Sequence, residues 1–368
     1  MVEEYRFNLW ARHASTICAS EPQLEVQDKL AVPITGIVGD DQYLRVQKLD
    51  GELAKSNKSA FASWHIQRTF SQNEIDRAQL FLIVLRNKHA AGEEFGTWYT
   101  DGILDARCGV GRKQIKILQT NPFRSTHEDT KNLRCSLSSQ RVGPLQIPYR
   151  ELMKSHDIFS LWGGEVVTSG RLADLIEAGG FSGGKLLGIS NTQKGSRSLL
   201  DLSDVPSGVE LLRLAALKGL KVSDREYWQW LEEPAQIPLF EAALWQRHAL
   251  HKKQQAGKSP LGDYKELTVQ SSSLTTSDRS MFGNDPFRKT TEHCKCSFGE
   301  VRGNLLSQLS VIASSWDGSD ICKTDLFFGG TQGLFRPYRQ LVISRRLFKA
   351  MREAGMKGFD YEVVEMVS

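Results

Sequence analysis

Cysteine is scarce in this chain, no apolar run is long, and neither sign of charge dominates. The six cysteines, at positions 18, 108, 135, 294, 296 and 322, are spread irregularly over 368 residues. That pattern is too sparse for a disulfide framework and fits reduced thiols in a cytoplasmic protein. The longest apolar run, Leu80 to Leu85 (LFLIVL), is the length of a strand. A membrane-spanning helix needs about 18 such residues, so no span is expected. The opening MVEEYRFNLWARHA carries acids where an export leader carries base, so no leader is expected either. A net charge of +4 is mildly basic and too weak by itself to imply nucleic acid.

Catalytic signatures are missing too. Gly109-Val-Gly-Arg-Lys113 lacks the ending and the following helix of a phosphate loop, and reads as a hairpin turn. Neither GxSxG nor HExxH occurs. His293-Cys294-Lys-Cys296 is the best metal candidate, but zinc cysteines are usually spaced two to four apart with a second pair further on. Only Cys322 is a nearby extra thiol, so these read as free thiols. No catalytic residue, metal or cofactor is expected. Val209 to Trp230 has the outline of a helix–turn–helix. Its second helix, SDREYWQWLEE, is acidic and aromatic and would repel phosphate, so nucleic acid is not expected as a partner. The adjacent acids Asp40-Asp41 and Glu232-Glu233 read as solvated surface.

What the chain does hold is a repeated stretch. Leu341 to Gly358 (LVISRRLFKAMREAGMKG) combines an apolar strand, a serine helix cap, an amphipathic helix and a glycine stop. Val166 to Gly183 (VVTSGRLADLIEAGGFSG) aligns with it without a gap, 175 residues earlier. Val167, Ser169, Arg171, Leu172, Gly180 and Gly183 match Val342, Ser344, Arg346, Leu347, Gly355 and Gly358. Further matches keep the order. Asn121-Pro-Phe-Arg124 corresponds to Asp285-Pro-Phe-Arg288, Cys135-Ser136 to Cys296-Ser297, and Asp157-Ile-Phe159 to Asp325-Leu-Phe327. Few copies in one order point to duplicated half-domains. Serine at a strand-to-helix junction accepts an orphan amide, so Ser169 and Ser344 read as caps and the shared positions as packing.

The expected fold is α+β: two similar strand–capped helix–strand repeats joined by a helical segment. An N-terminal half, 1–190, carries repeat 1 at about 121–189. A linker and helices occupy 191–256. A C-terminal half, 257–368, carries repeat 2 at about 285–366. Near the start, Gly36 to Val46 reads as a turn and strand, and Gly51 to Ser59 as a polar loop. Ser71 and Glu74 form a capping box for a short helix that runs into Leu80–Leu85. Gln255 to Thr276 is polar and reads as a loop or strand edge.

The loops hold residue types that dominate protein interfaces. The candidate partner-binding residues are Trp162, Trp316, Asp317, Phe335, Arg336, Tyr338 and Arg339.

The stretch LVISRRLFKAMREAGMKGFDYEVVEM, with DLFF upstream, resembles immunity proteins of bacterial polymorphic-toxin systems. In particular it resembles the double-CxxCG-motif and related immunity groups. The earlier copy, DIFSLWGGEVVTSGRLADLIEAGGFSG, and FSQNEIDRAQLF give the same likeness. CxxCG itself is absent, with only CKCSFG at Cys294 to Gly299. The resemblance implies a cytoplasmic protein of interbacterial competition that binds and neutralises a cognate toxin domain without catalysis. The toxin would belong to a secreted protein such as an Rhs or type VI secretion effector. An enzyme of unrecognised type and a nucleic-acid-binding regulator are the alternatives.

Overall fold

The computed structural model describes residues 1–17, 31–56, 58–85, 87–88, 98–99, 141–142, 144–147, 152, 155–161, 163–191, 260–283, 285–288, 294–296, 299–329 and 337–368. Apart from Asn191, the segment expected to be a linker and helices at 191–256 lies outside them. So do Asn121-Pro-Phe-Arg124 and Cys135.

The chain begins with β1 (Val2–Trp10), α1 (Ala11–Ile17), β2 (Ala31–Ile37), α2 (Asp41–Ala54) and β3 (Phe61–Thr69). The strands form an antiparallel sheet in the order β2-β1-β3. Alternation along β1 buries Tyr5, Phe7 and Leu9 on one face. The expected strand at the end of Gly36–Val46 is instead the start of α2. Asp40 caps it, accepting from the amides of Tyr43 at 2.6 Å and Ile37 at 2.8 Å. Tyr43, Val46 and Asp50 then fall on one buried face at helical spacing. The helix also takes up half of the expected loop at 51–59.

The Asp285-Pro-Phe-Arg288 turn plugs into this module. Phe287 packs against Phe7, Tyr43 and Phe61 with ring centroids 5.4–6.1 Å apart. Arg288 Nη2 donates to the carboxylate and the carbonyl of buried Asp50. Burial raises the pKa of the neighbouring Asp285, and Asp50 beside it raises it further.

Ser71 and Glu74 make the expected capping box for α3 (Gln72–Arg77), which leads into β4 (Leu80–Leu85). Next come β5 (Asn87–Lys88), β6 (Gln146–Ile147), β7 (Ile158–Leu161), β8 (Val166–Thr168), α4 (Gly170–Ala178) and β9 (Gly184–Asn191). The later part supplies β10 (Pro260–Val269), β11 (Ser273–Leu274), β12 (Ile321–Thr324), β13 (Leu341–Ser344), α5 (Arg345–Glu353) and β14 (Phe359–Val363). The molecule is a mixed α+β fold with few helices among the described residues.

Two sheets carry the two strand–helix–strand units. One runs β5-β7-β8-β10-β9-β6 and the other β11-β12-β13-β4-β14. Their central strands are exchanged. β4 comes early in the chain but lies between β13 and β14, with Leu82 opposite both Val342 and Glu362. β10 comes late but lies between β8 and β9, with Glu266 opposite both Val167 and Leu187. Val342 and Glu362 are 175 residues after Val167 and Leu187, so the two central strands sit in the same register. The halves expected at 1–190 and 257–368 therefore share strands. β10 also replaces the polar loop or edge expected over 255–276. Its Glu266 is buried and paired with Arg141, which hides the strand from a hydropathy pattern.

Between the sheets, α4 and α5 bury Leu172, Ile176, Leu347, Phe348 and Met351 against Phe81, Ile158, Ile321 and Ile343. Phe348 stacks on Phe81 with centroids 3.8 Å apart. Burial of each large side chain contributes about 1.5–3 kcal/mol.

Candidate functional site

Two polar arrangements stand out, and they differ in what their bonds are used for. The first is a pair of clasps built on the capping serines. Ser169 Oγ accepts from Leu172 N at 3.3 Å and donates to Asp157 Oδ1 at 2.9 Å. Arg171 donates to the same carboxylate through Nε at 3.1 Å and Nη2 at 2.6 Å. The other carboxylate oxygen accepts from Lys357 N at 2.8 Å, in the turn after α5. Arg171 also reaches the Gly355 carbonyl at 3.1 Å.

The same bonds recur around Asp320. Ser344 Oγ accepts from Leu347 N at 3.2 Å and donates to Asp320 Oδ1 at 2.6 Å. Arg346 Nε donates to Asp320 Oδ1 at 3.0 Å, and Arg346 Nη2 donates to Oδ2. Asp320 Oδ2 accepts from Ser182 N at 3.0 Å, in the turn after α4, and Arg346 Nη2 reaches the Gly180 carbonyl at 3.1 Å. Each clasp thus grips the turn of the opposite unit. Burial opposes ionisation of both aspartates, but hydrogen bonds from arginine, serine and the turn amide outweigh it. Asp157 is held below the usual carboxylate range and Asp320 is lowered to about 2.

Close backbone approach explains the shared glycines. Gly183 and Gly358 have φ of +87° and +103°, and a Cβ on either would collide with the carbonyl oxygen of Ile321 or Ile158. The clasps also correct the expected alignment. The counterpart of Asp157-Ile-Phe159 is Asp320-Ile-Cys322, not Asp325-Leu-Phe327. Asp325 instead accepts from Thr276 N at 3.0 Å and from its own neighbour Leu326 N at 2.9 Å. The misalignment arises because 12 residues separate Asp157 from Ser169, whereas 24 separate Asp320 from Ser344.

The second arrangement is a cleft of about 460 Å³ between β3, the end of β4 and the Tyr338–Leu341 segment. Trp64, His65, Arg68, Leu85, Tyr338 and Arg339 are among the residues that line it. Tyr338 and Arg339 are two of the residues singled out in the sequence. Tyr338 remains 43% exposed while its backbone pairs with Phe328 through bonds of 2.8 and 3.2 Å. Gly164, at φ +81°, lies so close that a Cβ there would come within 2.6 Å of Tyr338 Cβ. Arg339 lies 4.7 Å from the Phe327 ring centroid and donates to Ser273 Oγ at 3.1 Å.

Arg68 has its side chain only 3% exposed. It donates to Glu3 at 2.8 Å and Glu362 at 3.0 Å, and its buried Nη2 has no hydrogen-bond partner among the described residues. Burial lowers the pKa of His65, helped by Arg6 and Arg68, so the ring is neutral at pH 7.

The remaining candidates are not brought to this cleft. Trp316 donates its indole N–H to Ser319 O at 2.9 Å and packs on a neighbouring apolar cluster. Asp317 accepts from Ser319 N at 2.9 Å and Ser272 N at 3.2 Å. Both hold their loop in place against its neighbours. Trp162, Phe335 and Arg336 lie outside the described residues. Sequence reasoning missed Asp157, Asp320 and the β3 wall of the cleft. The aspartates carry a signal, an Asp-Ile pair opening a strand before each capping serine. β3 carries none, since Tyr338 and Arg339 across the cleft lie far away in the chain.

Among the described residues no group of three or more His, Cys, Asp or Glu side chains is placed to hold a metal. No helix there is long and apolar enough to cross a membrane. No family model matches this chain, and comparison with curated proteins finds no similar one.

Proposed function

We propose that this chain is an immunity protein that binds a cognate secreted toxin domain and neutralises it by occluding its active site, without catalysis. The observation that carries this reading is the cleft. There Tyr338 and Arg339, from one segment, meet Trp64 and His65, from a strand more than 250 residues away. Tyr, Trp and Arg contribute most at interface centres, especially when backed by a rigid scaffold. The likeness of LVISRRLFKAMREAGMKG to the immunity groups supports the same reading. So does the use of the Asp–Ser–Arg sets, which look most like chemistry yet spend their hydrogen bonds on holding two turns. The matched clasps and exchanged central strands further support an origin of the two units by internal duplication. In this reading the protein acts in the cytoplasm, against a toxin such as that of an Rhs or type VI effector. With the chain at +4, the toxin is either not strongly basic or meets a locally acidic patch.

Coexpression with the product of the adjacent gene tests the proposal. A stable complex and rescue of toxin-expressing cells are expected. Tyr338→Ala should weaken the complex about tenfold or more, a larger loss than its cost to the stability of the free protein. Absence of both complex and rescue would overturn the proposal.

A further inference from the structure

We infer that the cleft takes an extended segment of the partner protein, added as a strand along the free edge of β3. This rests on the reading of the cleft as the partner-binding site, and adds the form in which the partner enters.

β3 is an edge strand, hydrogen-bonded only to β1 among the described residues. Five consecutive residues, Ala62 to Ile66, line the cleft. Successive side chains of a strand point to opposite faces, so an unbroken run along one cavity means that the strand meets it edge-on. Its outward N–H and C=O groups form a template for another strand.

The opposite wall carries a second open edge. Among the described residues Ile83, Val84 and Leu85 of β4 pair with β14 on one side only. The ladder with β13 ends at Val342↔Leu82. In the other unit the corresponding ladder runs one pair further, to Val166↔Leu267. On its other side the chain before β13 stays paired. Thr324 takes up Gln340 through Thr324 N to Gln340 O at 3.1 Å and Gln340 N to Thr324 Oγ1 at 3.0 Å. Phe328 bonds to Tyr338 in turn, through bonds of 2.8 and 3.2 Å.

Charge selects among occupants. The Arg68 guanidinium is already matched by Glu3 and Glu362, so a phosphate or carboxylate would meet two carboxylates there. A cation would meet Arg68 and Arg339. His65 adds no charge at pH 7. A polypeptide backbone is neutral, with donors and acceptors alternating, and complements a strand edge between such walls. Five residues of β3 span roughly 17 Å, which sets the length of the captured segment at about five residues.

The test uses the full chain and a display library of unstructured heptapeptides. Selected peptides are expected to slow amide hydrogen exchange at Ala62–Ile66 and Ile83–Leu85. Methylating alternate peptide nitrogens should weaken binding about tenfold, as expected for lost backbone hydrogen bonds. The inference is overturned if no peptide is selected, if protection falls elsewhere, or if methylation has no effect. Exchange measured on the complex with the adjacent gene's product separates the two proposals. Neutralisation without protection of β3 would refute strand capture and leave the immunity reading standing. Peptide capture at β3 without neutralisation would do the reverse.

Discussion

Replacing Asp320 by asparagine tests the clasp directly. Asp320 is 5% exposed and accepts hydrogen bonds from Ser344, Arg346 and Ser182. Its pKa of about 2 lies roughly two units below the unfolded value near 3.9, worth about 2.5 kcal/mol at neutral pH. Breaking a buried pair costs about 3–5 kcal/mol when the partner stays buried. Here the Arg346 side chain is 56% exposed and can rehydrate, which places the loss at the lower end. The two arguments agree on about 2–3 kcal/mol. The sign of the pH dependence follows from the depressed pKa. The stabilisation is full above the unfolded pKa and is lost as pH falls from about 4 towards 2. Urea unfolding of parent and D320N, followed from pH 7 down to pH 2, should show a gap that closes across that window. A loss under about 0.5 kcal/mol at pH 7, within the range of ordinary surface substitutions, would refute the clasp, and so would a gap that persists at pH 2. The matching change, D157N, should behave alike, since its bonds are the same in kind. A loss of toxin neutralisation by D320N at unchanged stability would instead move the aspartate from scaffold to contact surface.

Two further outcomes follow from the geometry. Gly358→Ala should destabilise by more than about 2 kcal/mol, because it adds a left-handed strain of about 1 kcal/mol and a clash with the Ile158 carbonyl. Gly355→Ala, at φ +63° with open space around it, should cost only about 1 kcal/mol, so thermal melts of the pair separate strain from collision. Phe287→Ala removes the ring packed on Phe7, Tyr43 and Phe61 and should cost about 3 kcal/mol, with the loss appearing as earlier exposure of the β1–β3 module in hydrogen exchange.

The amino-acid sequence by itself determined the local devices. Ser71 with Glu74, Ser169 and Ser344 cap the helices that follow them, because a cap is complete within three or four residues of chain. Gly180 and Gly355 end α4 and α5 by the same locality, and LFLIVL has the length of the strand it forms. Only the tertiary structure decided where those elements went. β4 and β10 each took a central place between strands distant in the chain, and alternation along a strand says nothing of which neighbours it pairs with. Glu266 could join such a strand only because Arg141 balances its charge from 125 residues away. Asp320 became the partner of Ser344, and Asp325 did not, through spacing that differs between the units. The cleft lies where the β13–β4 ladder stops at Val342↔Leu82, which among the described residues leaves the end of β4 open opposite β3. A cap is settled within one turn of helix, whereas pairing and clefts are settled by competition among distant segments for burial.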